Sequence, residues 1–138
     1  MYSSLWPPVV MLCLIAFPAL GQSAIPYTPL LGLWSYTDEG CTDTYLFRKD
    51  GTFTSTSGAE RLDGRFAIEI LPDHVNAPYK VSRTNLRDNL GKDCLGSSKN
   101  DVGSKDTRYV MFNASKDKMM VCSSPEGTKC FGPLLLKH

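Results

Sequence analysis

The residues best equipped for chemistry lie between Asp88 and Asp106. In the run DNLGKDCLGSSKNDVGSKD, four acids, three lysines and one cysteine share a polar segment punctuated by glycine. A calcium loop of the EF-hand kind sets carboxylates at alternate positions and ends on a bidentate glutamate. Here Asp88 and Asp93 stand five apart, Lys92 intervenes, and the run contains no glutamate. A phosphate-cradling loop needs Gly-Lys-Ser/Thr ahead of a helix, whereas this chain continues Gly91-Lys92-Asp93-Cys94. The run therefore reads as a crossover of more than 20 residues between two strands, held by Cys94. Loops of that length in compact domains often carry function. A partner-contacting surface is accordingly expected on Asp93, Lys99, Asn100, Asp101 and Lys105.

Other constellations offer less. Asp38, Glu39 and Asp43 flank Cys41, but acid–base work needs one carboxylate desolvated, and the stretch TDEGCTD reads as a wet hairpin loop. Asp73 and His74 are adjacent, so on an extended chain they point apart. No nucleophile motif such as G-x-S-x-G accompanies them. Met111, Met119 and Met120 read as core filler on neighbouring strands. Asn113-Ala114-Ser115 is an N-glycosylation sequon. No catalytic residue, metal ligand set or cofactor is expected.

Four cysteines, Cys41, Cys94, Cys122 and Cys130, remain once Cys13 is set aside with the amino-terminal segment. An even count in a short exported chain points to disulfides, and three pairings are open. The favoured one joins Cys122 to Cys130 around SSPEGTK and Cys41 to Cys94. Zinc is disfavoured, because no C-x-x-C knuckle is present and neither histidine flanks a cysteine pair.

Export is expected from the amino terminus. Residues 1–37 carry no charged side chain, and Val9–Leu20 form an apolar run of twelve ahead of the small-residue segment GQSA. This matches a signal peptide over residues 1–24, with a competing cleavage site after Gly21. The run is too short for a spanning helix, which takes about 20 apolar residues. Residues 25–138 then form one domain of periplasmic or secreted location. Residues 25–70 hold seven acids and four bases, residues 71–138 seven acids and eleven bases. Bases interleaved with acids in this way make a solvated surface, and no nucleic-acid partner is expected. Nothing in the chain sets an oligomeric state.

The elements that must position these residues are strands. Aromatic and β-branched clusters separated by polar, Gly- or Pro-containing breaks predict strands over 32–37, 44–48, 52–56, 64–71, 78–84, 107–113, 118–122 and 130–136. Lys49-Asp50-Gly51 is a hairpin signal, and Ala114–Lys118 a second. Alternation puts Phe66, Ile68 and Ile70 on one face opposite Arg65 and Glu69. Tyr45 shares a face with Phe47, Tyr79 with Val81, and Val110 with Phe112. A single apolar face per strand predicts an all-β antiparallel meander closing, or nearly closing, into a small barrel of about eight strands.

Gly32-Leu33-Trp34 on the first strand resembles the G-x-W of lipocalins and related calycin barrels, where the tryptophan plugs the barrel floor. The chain departs from that pattern in two places: Thr107-Arg108-Tyr109 only echoes T-D-Y, and Lys137 stands where an arginine would cover Trp34. The resemblance implies a role for Trp34 at the floor and a carrier function for a small apolar ligand. The cysteine pattern, with its closing Cys-Phe-Gly-Pro, is also similar to small four-cysteine exported bacterial proteins. The chief functional expectation is an exported, non-catalytic binding module for a protein partner, of the inhibitor or immunity type, acting on a secreted or periplasmic hydrolase. Carriage of a small apolar ligand is the alternative.

Overall fold

The computed structural model describes residues 28–138; the expected signal peptide and Cys13 lie outside the described residues. Eight strands follow in order: β1 (Gly32–Asp38), β2 (Cys41–Phe47), β3 (Thr52–Ser57), β4 (Glu60–Ile70), β5 (Tyr79–Asp88), β6 (Lys105–Phe112), β7 (Lys118–Cys122) and β8 (Phe131–Lys137). Each pairs antiparallel with the next. β8 returns to β1 through Leu33–Lys137, Trp34–Leu136 and Ser35–Leu135, closing the barrel and removing its edges. Among the described residues no helix is long and apolar enough to cross a membrane.

Local chemistry sets the turns. Between β2 and β3, Asp50 Oδ1 accepts from the Thr52 amide at 2.9 Å and from its hydroxyl at 2.7 Å, while Gly51 takes a φ of 83°. The Gly51 amide donates back to the Arg48 carbonyl, and a glycine in the left-handed region closes such a hairpin loop. Between β6 and β7, Asn113 Oδ1 accepts from the amides of Asp117 and Lys118. Its Nδ2 donates to Ser115 and Asp117. The sequon asparagine is thus the organiser of its own turn. β4 bends at a bulge between Asp63 and Gly64. A Cβ on Gly64 would lie 2.1 Å from the Thr84 carbonyl oxygen and 2.7 Å from the Phe53 ring, so only glycine fits there.

Three strands are longer than the alternation predicts by two residues or more. β2 begins at Cys41 instead of residue 44, because Glu39-Gly40 alone make the turn and Asp38 pairs with Cys41. β4 begins at Glu60 and β5 reaches Asp88. The crossover is consequently residues 89–104, and Lys105 belongs to β6. Ile70, expected inside, is 57 % exposed because its strand end runs past the packed interior.

The core is a single cluster. Phe47 meets the edge of Phe66 at 5.1 Å between centroids, and Phe53 lies beside them. Val81, Val110, Met119 and Leu134 fill the opposite wall. Trp34 is fully buried and donates its indole N–H to the Leu30 carbonyl at 2.8 Å, so the turn at 28–31 caps this end of the barrel. Met111 and Met120 are only half-buried, unlike Met119.

Cys41 is bonded to Cys94 and Cys122 to Cys130. Two disulfides in so small a domain are the chemistry of an oxidising environment.

Candidate functional site

The end of the barrel opposite Trp34 carries the turns after β1 and β3 and the segment 89–104. Cross-strand partners place their side chains on the same face. The inward face of β5 therefore continues from Tyr79 and Val81 to Arg83, and that of β6 from Val110 back to Arg108 and Asp106. These three charged residues sit directly above the aliphatic core. Arg83 Nη2 donates to Asp106 Oδ2 at 2.8 Å, and Arg108 Nε lies 3.1 Å from Asp106 Oδ1. The Arg83 guanidinium also lies over the rings of Phe53 and Tyr45, at 5.3 and 5.6 Å from their centroids. Burial alone would raise the Asp106 carboxyl. The Arg83 hydrogen bond and the two guanidinium charges outweigh it and hold the group below its ordinary value. Burial pushes the Tyr45 phenol up, which keeps it a protonated donor.

Beneath these groups lies a cup of about 160 Å³, open at the top. Phe47, Val81, Val110, Met119 and Leu134 line its lower wall; Tyr45, Arg83, Asp106 and Arg108 line the upper. A drug-sized ligand occupies about 300–1,000 Å³, so the cup admits something smaller.

Segment 89–104 closes over one side of this end as a braced rim. The amides of Ala59 and Glu60 donate to the Lys92 carbonyl at 2.8 and 3.2 Å. The Asn89 side chain bridges Ala59 and Arg61, and the Cys94 amide donates to the Ser57 hydroxyl. A Cβ on Gly91 would lie 2.1 Å from the Ala59 carbonyl oxygen, so glycine permits the close approach. The disulfide to Cys41 fixes the rim to the turn after β1.

The expected contact residues divide on this frame. Asp93 Oδ1 accepts from the amides of Leu95 and Ser97 and shapes the rim from within. Asp101 is half-buried, its amide bonded to Asp88 Oδ2. Lys99, Asn100 and Lys105 are exposed, though Asn100 also accepts from the Val102 amide. Glu60, Asp88 and Asp101 come together with carboxylate oxygens within 4.8 Å of one another. Both oxygens of Asp88 are already engaged, by the amides of Leu90 and Asp101. Desolvation first, then the neighbouring acids, raise the Glu60 carboxyl. Asp43 is separate, on β2 opposite Tyr36. Asp73 and His74 lie in the turn between β4 and β5, away from the cup, where the His74 amide donates to Leu71.

Sequence reasoning missed Arg83, Asp106 and Arg108. The signal was present: they continue, two residues at a time, the alternation already read at Val81 and Val110. Comparison with known protein families, curated proteins and solved structures returns no match. The class defined by fold and site is a closed eight-stranded antiparallel barrel with two disulfides and a charged mouth.

Proposed function

We propose that the chain is an exported, non-catalytic binding module, periplasmic or secreted, that docks a secreted or periplasmic hydrolase through the rim 89–104. One observation carries the reading. A rim tied at Asn89, Lys92 and Cys94 nevertheless holds Leu90, Leu95 and Val102 outward, at 53, 94 and 53 % exposure. Apolar side chains held outward on a rigid loop suit docking, because little entropy is lost on binding. The two disulfides support the compartment. The test uses residues 25–138 against purified secreted lysozymes and proteases, read as stoichiometric inhibition. One of them is expected to be inhibited, and the double change Leu95→Asp with Val102→Asp should weaken that inhibition at least about tenfold without lowering Tm. Unchanged inhibition by the double variant, or inhibition of none of the enzymes, overturns the reading.

A second reading, a carrier of a small ligand, is supported by the apolar lower wall of the cup.

A further inference from the structure

The cup has a chemical polarity that its size makes specific. Its volume, about 160 Å³, is close to that of an engineered apolar cavity of about 150 Å³ that takes up benzene. One ring or a short chain therefore fills it. Its lower wall is hydrocarbon and aromatic, which suits that body and offers no hydrogen bond to it.

The upper wall offers donors in excess of acceptors. Two guanidiniums face one carboxylate, so the charged groups lining the cup sum to one positive charge. Arg83 uses Nη2 on Asp106, and Arg108 uses Nε on Asp106 and Nη1 on Ser123. Arg83 Nε and Nη1 and Arg108 Nη2 make no hydrogen bond among the described residues. No buried side-chain nitrogen or oxygen among these residues lacks a partner, so these spare donors reach open space. The Arg83 guanidinium carbon lies within cation–π range of the Phe53 and Tyr45 rings, and a guanidinium, being planar, favours a planar acceptor such as a carboxylate. Tyr45 lines the same wall. Asp43 stands nearer the rim and does not line the cup. Its field is weaker there than that of the two guanidiniums, since attraction falls with distance.

We propose that the cup binds a small organic monocarboxylate, its single ring or short chain against Phe47, Val81 and Leu134 and its carboxylate on Arg83 and Arg108. This rests on the second reading above, that the cup holds a ligand at all. Asp106 is the internal competitor. It orients both guanidiniums and occupies only part of their donor capacity, so an entering carboxylate shares the pair with it.

The test compares three probes of one shape on residues 25–138: benzoate, neutral benzyl alcohol and cationic benzylamine. Binding is followed by calorimetry and by side-chain methyl shifts of Val81, Val110 and Leu134. Benzoate is expected to bind at least about tenfold more tightly than benzyl alcohol, the effect of a hydrogen-bonded charge, with benzylamine weakest. Arg108→Met should cut that advantage severalfold, changing benzoate binding more than that of benzyl alcohol. Arg108 is 43 % exposed, so this variant keeps the fold. Asp106→Asn, which removes the competitor, should tighten benzoate binding and not that of the alcohol. Equal binding of benzoate and the alcohol, or tighter binding of the amine, overturns the carboxylate assignment and leaves the cup as a ligand site. No saturable binding of any probe up to about 10 mM, a threshold weaker than a tiny ligand in a fitted cup should show, overturns both.

Discussion

The two halves of the barrel interior are built on opposite principles. The half capped by residues 28–31 is filled by Trp34, Phe47, Phe66, Val110 and Leu134, and its one prominent polar atom, the Trp34 indole nitrogen, is satisfied by Leu30. The half beneath the rim carries Arg83, Asp106, Arg108, Glu60, Asp88 and Asp101, and its order comes from hydrogen bonds, ion pairs and a disulfide. Hydrocarbon burial is non-directional and stabilises the whole domain. Charged networks contribute little net stability but fix geometry. The first half therefore holds the barrel together, and the second is free to be shaped for recognition.

Truncating Trp34 tests that division most severely. Trp34→Ala removes the largest buried side chain and its bond to Leu30, and should destabilise by about 3–5 kcal/mol, seen as a parallel fall in Tm and in the chemical-denaturation midpoint. A loss below about 1 kcal/mol would show that the floor is not the keystone of the fold. Removing the rim disulfide by Cys41→Ser with Cys94→Ser comes next. Its 53-residue separation predicts a loss of about 2–4 kcal/mol. Amide exchange sharpens the contrast: the amides of Ala59, Glu60 and Cys94 should lose protection far more than those of Phe47 and Val110. A uniform loss would mean that rim and floor unfold as one unit.

What could be read from the residues follows the same division. The floor half was legible, because apolar alternation at Phe66, Ile68, Val81 and Val110 marks strands and Asp50-Gly51 marks a turn. The ends of β4 and β5 near the rim were not. Glu60-Arg61-Leu62-Asp63 and Leu86-Arg87-Asp88 have no apolar period, and pairing with neighbouring strands makes them strands. Ile70 departs from its expected face for the converse reason: alternation cannot tell where a strand outruns its core. The charged mouth escaped notice because Arg83 and Arg108 have polar neighbours on both sides. Alternation carried on from Val81 and Val110 reaches them, but only the register, which sets Arg83 opposite Asp106 and Val81 opposite Arg108, shows that they meet.

The ion pair at the mouth gives a smaller, pH-dependent contrast. The Asp106 carboxyl is held below its ordinary value in the folded chain. Its contribution is thus present above the unfolded value, near 3.9, and is lost as pH falls through the lower folded value. Asp106→Asn should lower stability by about 1 kcal/mol at neutral pH, discounted for a pair one-third exposed to solvent. The gap between parent and variant should close on acidification from about pH 4 towards pH 2. A gap that does not change with pH would assign the loss to packing instead of charge.

The smallest effect has the opposite sign and singles out the acids under the rim. Glu60 loses solvation and faces Asp88, Asp93, Asp101 and Asp43, so its carboxyl is raised in the folded state. The folded chain then binds this proton more tightly than the unfolded chain, and ionised Glu60 costs stability at neutral pH. Its side chain makes no hydrogen bond among the described residues, while Asp88 is held by two amides and Asp93 by two. Asp88→Asn or Asp93→Asn should therefore destabilise the rim, whereas Glu60→Gln should stabilise the domain by about 0.5 kcal/mol at pH 7, the scale of one relieved surface repulsion. That gain should vanish as pH falls below about 4, where Glu60 is protonated in the folded and unfolded chains alike. Thermal unfolding of the parent and Glu60→Gln at pH 7 and pH 3, in chelator and again with millimolar calcium, decides the matter. A variant less stable than the parent in calcium alone would show the three carboxylates acting together on a cation. A loss in every buffer would give Glu60 a structural role that its lack of partners argues against.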